Sequence, residues 1–419
     1  MRITIHRGSK EIGGNCVEIR SDRAKILIDF GLPLDFGDKT RKEQEQIRKQ
    51  ATEWAKDADA IFISHSHADH FGLLTESDSR TPIFMTRGTH EMLCVNDIVK
   101  RKKVAQNARL VVVSPHKDSF VQIGNIRVSL YTVDHAAFDA CAFLVECDGR
   151  KILYTGDIRL SSVKGKLYHL LPHGVDYLLL EGTNLNAGKK CKTEGQVGKE
   201  FEQQFRKEPD KLHYVWCSGQ NIDRLVQIYK AALHTGRKLI IDTYIAFILD
   251  RVHSVRNSIP SILDPIAGHD VFCYFKNDSY LTKIKQSGDI AAADKLSALP
   301  TVDTGDISRN SGKYVWIVRP KMLPILRKYR YIPSVFITSL WNGYREKENA
   351  FFEHLQKYSI LEKEIHTSGH ADMRSLQRIV GHVKPKCLIP IHTDAPQRFA
   401  EVFQNTEILL LDDGVAQEL

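Results

Sequence analysis

Four potential metal ligands within six residues constrain this chain more than any other feature. Residues 60–70 read AIFISHSHADH, an apolar run that predicts a buried strand followed directly by the ligands. Alternate side chains of an extended segment face the same way, so we expect His65, His67 and Asp69 to share one side. His70 would then fall at the turn. Imidazoles and a carboxylate suit zinc or manganese, and no single ion easily takes four ligands from so short a loop. The segment predicts two adjacent metal ions.

The His-X-His-X-Asp-His pattern after an apolar strand resembles the signature of the metallo-β-lactamase superfamily. The resemblance implies three more ligands downstream: a histidine, a shared aspartate and a late histidine. Candidates for all three lie at the ends of apolar runs, namely His135, Asp157 and His392. It further implies two ligand groups bridged by Asp157. These groups are His65, His67 and His135 for one ion, and Asp69, His70 and His392 for the other. Zinc is the expected ion and manganese the alternative.

The length of 419 residues exceeds the usual size of a single core, so we expect two domains or one interrupted domain. After a polar stretch at residues 184–192, strands and amphipathic helices alternate with short links, which predicts parallel βαβ units. This region separates Asp157 from His392, two ligands implied for one centre, so it must be an insertion. The predicted domains are residues 1–186, 187–345 and 346–419, with the middle one inserted between two parts of the first.

Three further motifs resemble those of the β-CASP nucleases, which carry a domain inserted in a metallo-β-lactamase fold. They are Glu181-Gly182-Thr183, the stretch HTSGHAD at residues 366–372, and PIHT at residues 390–393. Together with the ligands they resemble RNase J-like and cleavage-and-polyadenylation-type ribonucleases over nearly the whole chain. The implied fold class is α/β, an αββα metallo-β-lactamase sandwich with an inserted parallel α/β β-CASP domain.

The resemblance implies a metal-dependent ribonuclease that hydrolyses RNA phosphodiester bonds with water activated by two metal ions, as an endonuclease, a 5′–3′ exonuclease or both. Besides Asp69, the implied catalytic residues are His370 as proton donor and Glu181, which would orient His370 or tune its pKa. An exposed strand-end carboxylate is the alternative for Glu181. Ser368, Gly369 and Asn221 are candidates for binding phosphate or RNA, although turn and cap roles explain them equally well.

Two other activities compete with this one. A DNA nuclease of the same group is the first, but its members typically carry valine at the position of His392. A small-molecule metallohydrolase is the second, and such enzymes lack both the inserted domain and the Ser-Gly-His motif. The turn around Asp29 also resembles the opening of the superfamily, and we expect Asp29 to organise a loop rather than bind metal.

Charge and composition are compatible with an RNA partner. Lysine and arginine (59) outnumber aspartate and glutamate (51), and the net charge of +8 permits a polyanionic ligand. Basic residues cluster at 100–103, 189–192 and 327–331, where a solvated helix face or loop is an equally good explanation. Trp341 and Tyr344 could stack on bases or belong to the core. We expect single-stranded RNA as the partner, DNA as the alternative, and allow for a homodimer or larger assembly.

The location of the protein is also predicted from the sequence. The first residues contain no apolar signal core, and no run approaches the roughly 20 apolar residues of a membrane-spanning helix. The eight cysteines form no Cys-X-X-Cys pair, and several lie in apolar runs where buried, reduced thiols are the norm. These features predict a cytoplasmic protein with no membrane partner.

Overall fold

The computed structural model describes most of the chain as two compact units. The described residues are 1–100, 104, 109–115, 119–186, 188, 190–264, 271–345, 348–358 and 360–419. The first unit comprises Met1–Asp97, Lys102–Cys191 and Gly369–Leu419, and the second comprises Ile98–Arg101 and Lys192–Ser368.

Two mixed sheets form the centre of the first unit, each with seven strands among the described residues. In spatial order the first contains Ala416–Glu418, Arg2–Arg7, Cys16–Arg20, Lys25–Ile28, Ala60–Phe62, Pro82–Met85 and Arg109–Val112. The second contains Glu407–Ile408, Cys387–Ile391, Tyr177–Glu181, Arg150–Tyr154, Cys141–Cys147, Ile126–Thr132 and Val121–Ile123. Alternate residues of these strands, such as Ile126, Val128 and Leu130, are buried between the sheets with Ile3 and Val17 of the other sheet. The inward face is apolar because side chains alternate along a strand.

Helices cover the outer face of each sheet and complete an αββα sandwich. The capping box of Thr40 and Glu43 starts one helix, and Ile47 and Ala51 on its inner face pack against the first sheet. The helix Met373–Val383 packs Leu376 and its neighbours on the second sheet. The α-helices of this unit in the described part are Arg41–Ala55, Ala68–Phe71, Met373–Val383 and Arg398–Val402, together with Arg87–Lys100, which begins in it. Short 3-10 helices span Phe36–Asp38, Leu74–Glu76 and Val163–Leu170.

The second unit is built on a parallel sheet of six strands in the described chain. Their spatial order is Phe272–Phe275, Lys238–Asp242, Tyr314–Val318, Leu212–Cys217, Ser334–Ser339 and Leu361–Glu364. Strands that are buried on both faces need continuous apolar runs, and Tyr314–Val318 is buried throughout. The described α-helices are Glu194–Lys207, Ile222–His234, Thr243–Val255, Asp278–Gln286, Ile290–Ala298, Thr304–Arg309, Leu323–Lys328, Asn342–Arg345 and Asn349–Lys357. Short 3-10 helices span Ser311–Lys313 and Pro320–Met322. The predicted α/β architecture, a metallo-β-lactamase sandwich with a parallel α/β insertion, is confirmed.

The second unit extends further along the chain than the sequence suggested. Strand Leu361–Glu364 pairs in parallel with Ser334–Ser339, and Phe351 and Leu355 of the preceding helix join the core of this unit. These contacts place residues 349–364 with the parallel sheet. The domain limits after residues 186 and 345 remain predictions.

None of the described helices is long and apolar enough to cross a membrane. The eight cysteines, all of them in the described part of the chain, form no disulfide.

Candidate metal centre

The ligand-rich segment leaves the first sheet at strand Ala60–Phe62 and turns into a single helical turn, Ala68–Phe71. The backbone amide of His70 donates to the carbonyl of His67 at 3.0 Å, so the chain is helical where an extended segment was expected. The prediction that Asp69 shares one side with His65 and His67 is therefore wrong. In a helix successive side chains are rotated by about 100° rather than 180°, and Asp69 groups with His70, Asp157 and His392 instead of with the two histidines.

A first ligand group brings together residues from three parts of the first unit. One ligand atom each of His65, His67, His135 and Asp157 lies within 4.8 Å of all the others. The Oδ2 atom of Asp157 is 3.6 Å from Nε2 of His65 and 3.7 Å from Nε2 of His135. Two ligands about 2.0–2.2 Å from one ion at a tetrahedral angle are about 3.4 Å apart, so this spacing suits a shared zinc-sized ion.

A second ligand group lies beside the first and shares Asp157 with it. It contains Asp69, His70, Asp157 and His392. Nε2 of His70 is 3.3 Å from Asp157 Oδ2, while Nε2 of His392 is 3.6 Å from Oδ1 of the same carboxylate. Nε2 of His392 is also 3.4 Å from Asp69 Oδ2. The two oxygens of Asp157 thus face both groups, and the structure brings all seven predicted ligands together.

The chemistry of these residues fits a divalent metal ion. Within the described residues, His65 Nε2, His70 Nε2 and Asp157 Oδ1 are buried and have no hydrogen-bond partner. Leaving a buried polar atom without a partner costs about 1–3 kcal/mol, and more for a charged group. These partnerless atoms are distributed over the two ligand groups, and divalent cations bound there would supply the missing partners. The centre therefore supports divalent metal binding.

Asp29 holds one of the ligands in place. Its Oδ2 atom accepts hydrogen bonds from His70 Nδ1 at 2.7 Å, Ser64 Oγ at 2.8 Å and Tyr154 Oη at 2.6 Å. Its Oδ1 atom accepts from the amide of Ser64 at 2.8 Å. Because Nδ1 of His70 donates its proton to Asp29, Nε2 is the nitrogen left to bind a cation. The prediction that Asp29 organises the loop is confirmed.

Two further ligand histidines, His135 and His392, also have hydrogen-bond partners outside the ligand groups. His135 Nδ1 donates to the carbonyl of Gly369 at 2.7 Å, and His392 Nδ1 lies 2.8 Å from Thr183 Oγ1. A buried ion pair between Arg159 and Asp134, with Nε–Oδ1 at 3.0 Å, joins the chain next to His135 to the chain next to Asp157. This pair was not predicted from the sequence. The feature that could have indicated it is the charged residue Asp134, which directly precedes the predicted ligand His135.

The electrostatic surroundings of the histidines differ from one ligand to the next. Burial lowers the pKa of His65 and His135 well below the usual value, so both are neutral near pH 7. Burial also opposes the charged form of His70, but the carboxylates of Asp157 and Asp29 outweigh it and raise the pKa of His70. Among the acidic ligands, the pKa of Asp69 is lowered to about 2, because His70 and His392 outweigh the cost of burial.

His370 and Glu181 form a hydrogen-bonded pair next to both ligand groups. His370 Nδ1 lies 3.1 Å from Glu181 Oε1 and 3.8 Å from Asp157 Oδ2. Glu181 is completely buried, not the exposed strand-end carboxylate considered as an alternative, and it accepts from the amides of Ile158 and Thr183 at 3.2 and 3.0 Å. Burial lowers the pKa of His370, but Glu181 and Asp157 outweigh it and raise that pKa to about 9.

The remaining predicted site residues are divided between the units. Gly369 lies in the first unit and accepts from His135, whereas Ser368 and Asn221 lie in the second. The side chain of Asn221 accepts from the amide of Arg224 at 3.1 Å and caps a helix. A phosphate-binding role for Ser368, Gly369 and Asn221 remains a prediction. Trp341 is 63% exposed, and the side chain of Tyr344 lies outside the described part, as do residues 101–103 and 189.

Two family models match this chain. Residues 25–198 match the model described as the Beta-lactamase superfamily domain, and residues 362–408 match the model of the Zn-dependent metallo-hydrolase RNA specificity domain. These stretches contain every candidate ligand as well as Glu181 and His370. Among similar proteins, Ribonuclease J of Mycobacterium tuberculosis is 22% identical, with 100% of this chain and 75% of the relative covered. Ribonuclease J of Mycoplasma genitalium is 23% identical, with 92% of this chain and 66% of the relative covered.

These matches and relatives support an assignment of the chain to the RNase J-like β-CASP family of metallo-β-lactamase-fold proteins.

Other comparisons add to this assignment. The RNase J-like protein of Methanocaldococcus jannaschii is 25% identical over 43% of this chain and 42% of its own length. The chain thus spans less than two thirds of the length of the M. genitalium and M. jannaschii relatives. A crystal structure of a protein of unknown function from Enterococcus faecalis V583 has the same fold, with a TM-score of 0.72 and 19% identity over 100% of this chain and 99% of that chain.

Proposed function

We propose that this protein is a metal-dependent ribonuclease that hydrolyses RNA phosphodiester bonds at a centre of two divalent ions, zinc or alternatively manganese. The observation that carries the proposal is the pair of ligand groups that share Asp157, beside the His370–Glu181 pair. RNA is the proposed substrate because one of the two matched family models is that of an RNA specificity domain, and its residues 362–408 include His370 and His392.

The ligand groups divide the metal-binding work. His65, His67 and His135 would hold one ion, Asp69, His70 and His392 the other, and Asp157 both. Bound divalent ions supply Lewis acidity, which makes hydroxide available near neutral pH and offsets the negative charge of the phosphodiester. The protein holds the ligands at fixed positions before the substrate arrives, since Asp29 orients His70 and Thr183 contacts His392.

His370 is the proposed proton donor to the leaving oxygen. Glu181 accepts a hydrogen bond from Nδ1 of His370, so Nε2 is the ring nitrogen left to donate a proton to the substrate. In the metal-free protein burial lowers the pKa of His370, but Glu181 and Asp157 outweigh it and raise that pKa to about 9, which favours the protonated ring that a general acid needs. Glu181 acts through His370 and is a positioning residue, because it is completely buried and bound by two backbone amides.

The test is cleavage of 5′-labelled RNA and DNA oligomers of one sequence, with zinc or manganese added. The Asp69→Ala/His70→Ala variant removes two ligands of the second group, and Asp78→Ala/His173→Ala removes an aspartate and a histidine elsewhere in the same unit as a matched control. Metal-dependent RNA cleavage by the wild type and the control, lost in the ligand variant, is the expected result. The product ladder distinguishes internal cleavage from stepwise removal of nucleotides at the 5′ end.

Three results would contradict the proposal in different ways. Cleavage of DNA alone would assign the centre to a DNA nuclease. RNA cleavage that survives the loss of Asp69 and His70 would place the activity outside this centre. Metal binding without cleavage of either nucleic acid would overturn nuclease activity and direct the search to small-molecule substrates.

A further inference from the structure

The second unit carries an exposed cluster of cations and aromatic rings, which we call the basic–aromatic patch. It lies where two helices end, Leu323–Lys328 and Asn349–Lys357. The residues of the patch are Arg327, Lys328, Arg330, Tyr331, Lys357 and Tyr358. Residues 327–331 stand out in the sequence only as a cluster of basic residues, and the proposed chemistry of the metal centre does not use them.

Tyr331 presents an aromatic ring to solvent. Its side chain is 79% exposed, whereas tyrosine side chains in folded proteins are usually more buried than this. The guanidinium carbon of Arg330 lies 4.4 Å from the centre of the Tyr331 ring, and the ring of Tyr358 meets Tyr331 edge-on with centres 6.3 Å apart. Nζ of Lys357 is 5.8 Å from the centre of the Tyr358 ring. Aromatic rings next to cations offer stacking surfaces for unpaired bases and charge for the backbone.

The cations of the patch are not paired with carboxylates in the part of the chain that the structure describes. There Arg327, Lys328, Arg330 and Lys357 form no ion pair with Asp or Glu. These positive charges also affect a neighbouring histidine. Burial lowers the pKa of His354, and the charges of Arg327, Lys357 and Arg330 lower it further. Clustered like charges repel one another, and a polyanion that binds them relieves that repulsion.

The position of the patch in the fold separates it from the motif residues of the same unit. Residues 327–331 precede strand Ser334–Ser339, and residues 357–358 precede strand Leu361–Glu364, so the patch lies at the amino ends of these parallel strands. Asn221 follows the carboxyl end of Leu212–Cys217, which is parallel to Ser334–Ser339. The patch is thus at the opposite sheet edge from Asn221.

A cavity of about 400 Å³ adjoins the patch, lined among others by Lys328, Tyr331 and the polar residues Thr304 and Ser308. Hydroxyl groups beside an exposed ring and an ammonium group provide donors and acceptors for the edge of a base or for a sugar. The cavity therefore adds room for a nucleotide next to the stacking surface.

We infer that the basic–aromatic patch binds single-stranded RNA by stacking bases on Tyr331 and contacting phosphates through Arg327, Arg330 and Lys357. The inference rests on the proposed ribonuclease function, because it takes RNA as the ligand. The patch would be an RNA-binding site of the second unit, in addition to the metal centre of the first unit.

Fluorescence anisotropy with a labelled oligoadenylate of about 20 nucleotides tests this inference. The full-length His370→Ala chain with zinc present is the background, so that cleavage is suppressed while the metal ions stay in place. In this background Tyr331→Ala should weaken binding about tenfold, while Tyr331→Phe, which keeps the ring, should bind as before. The triple variant Arg327→Ala/Arg330→Ala/Lys357→Ala should reduce the slope of log affinity against log salt by about two.

Lys230→Ala, which removes an exposed cation from another helix of the same unit, is the matched control and should change little. A perfect RNA duplex should be insensitive to Tyr331→Ala, since its bases are not free to stack on a side chain.

The inference is overturned if the Tyr331→Ala and triple variants bind as tightly as Lys230→Ala, or if no chain binds the oligomer. Equal losses for duplex and single strand would also overturn it, in favour of a general polyanion surface. The proposed function fails separately, in the cleavage assay with His370 intact, so the two failures are distinguishable.

Discussion

The two ligand groups of the metal centre share Asp157 but differ in composition. The first group adds three imidazoles to that carboxylate, from His65, His67 and His135. The second adds two imidazoles and a second carboxylate, that of Asp69. Imidazole nitrogens suit zinc and copper, whereas carboxylate oxygens suit manganese, magnesium and calcium. We therefore expect the first group to discriminate more strongly for zinc, and the second to accept manganese more readily.

The groups differ in protonation as well. Burial keeps His65 and His135 of the first group neutral and ready to bind a cation. In the second group, carboxylates on both sides of His70 raise its pKa well above the usual value, so the metal-free ring carries a proton near pH 7. A cation has to displace that proton. Two sites that share one ligand can thus bind the same ion with different pH dependence.

The substitution with the largest expected effect removes what the groups share. Asp157→Ala takes a ligand from both, so the loss of RNA cleavage should exceed the roughly 10²–10⁴-fold that a single general acid contributes. Bound zinc, measured by mass spectrometry of the purified chain, should fall in parallel. The exposed Asp78→Ala serves as control and should keep full activity. Cleavage by Asp157→Ala within tenfold of the wild-type rate would contradict the assignment of Asp157 as a ligand shared by both groups.

The His370–Glu181 pair lies beside both groups and should govern the alkaline side of the pH profile. His370 donates a proton only when protonated, so activity should fall as the pH rises through its pKa. That pKa is about 9 without metal ions, and cations bound near Asp157 would lower it. The alkaline limb of the profile, where activity falls as the pH rises, should therefore be centred at or below about pH 9. His370→Ala should cost roughly 10²–10⁴-fold and abolish the limb, as measured by the pH dependence of kcat.

Glu181→Gln distinguishes a positioning role from a structural one in the same assay. The amide keeps a hydrogen-bond acceptor for His370 but lacks the charge that raises the His370 pKa. The alkaline limb should therefore move to lower pH while zinc content stays unchanged. An alkaline limb that stays at the same pH in the Glu181→Gln chain would show that Glu181 does not raise the pKa of the proton donor His370.

Asp29→Ala should affect one group only. It removes the carboxylate that orients His70, and partners of this kind typically contribute roughly 10–100-fold to metal affinity or activity. We expect one zinc ion per chain instead of two, with the first group still filled. The variant also leaves Ser64 and Tyr154 without their acceptor, so thermal unfolding in parallel checks that the fold persists. Loss of both ions from a folded chain would contradict the prediction that Asp29 supports the second group alone.

The smallest expected effect concerns protons released on metal binding. Near pH 7 filling the second group should release about one proton from His70, whereas the neutral imidazoles of the first group should release none. Calorimetric titration of the metal-free protein with zinc, in two buffers of different ionisation enthalpy, measures this number. In Asp29→Ala, where the second group is expected to stay empty, this proton release should disappear. Equal proton release on filling either group would contradict the predicted difference in protonation between the two groups.

The sequence was most informative where the ligands are close together along the chain or follow apolar strands. His65, His67, Asp69 and His70 could be recognised from spacing, and Asp157 and His392 from strand ends that resemble family motifs. Their convergence in the structure is consistent with the implied ligand groups.

The residues that hold the ligands could not be predicted because their partners are distant in sequence. Tyr154 donates to Asp29 across 125 positions, and Thr183 contacts His392 across 209. A buried hydroxyl in a strand looks the same in sequence whether or not it serves a ligand. The helical turn at Ala68–Phe71 was missed because four residues are too few for a helical pattern.

The extent of the second unit shows a different limit. Its last strand, Leu361–Glu364, reads Leu-Glu-Lys-Glu and has no apolar run, because it is an edge strand with no buried residue. The apolar patterns that predict strands arise from buried side chains. An edge strand without buried side chains lacks such a pattern, and here its pairing with Ser334–Ser339 identifies it.

Zinc content and RNA cleavage should be measured on the same preparations to decide whether a shared two-ion centre cleaves RNA. We expect two zinc ions per wild-type chain and cleavage of a 5′-labelled RNA oligomer. Asp157→Ala should lose the zinc and the cleavage, whereas Asp78→Ala should keep them. Two bound ions with no cleavage of RNA, or RNA cleavage that persists in Asp157→Ala, would contradict this mechanism.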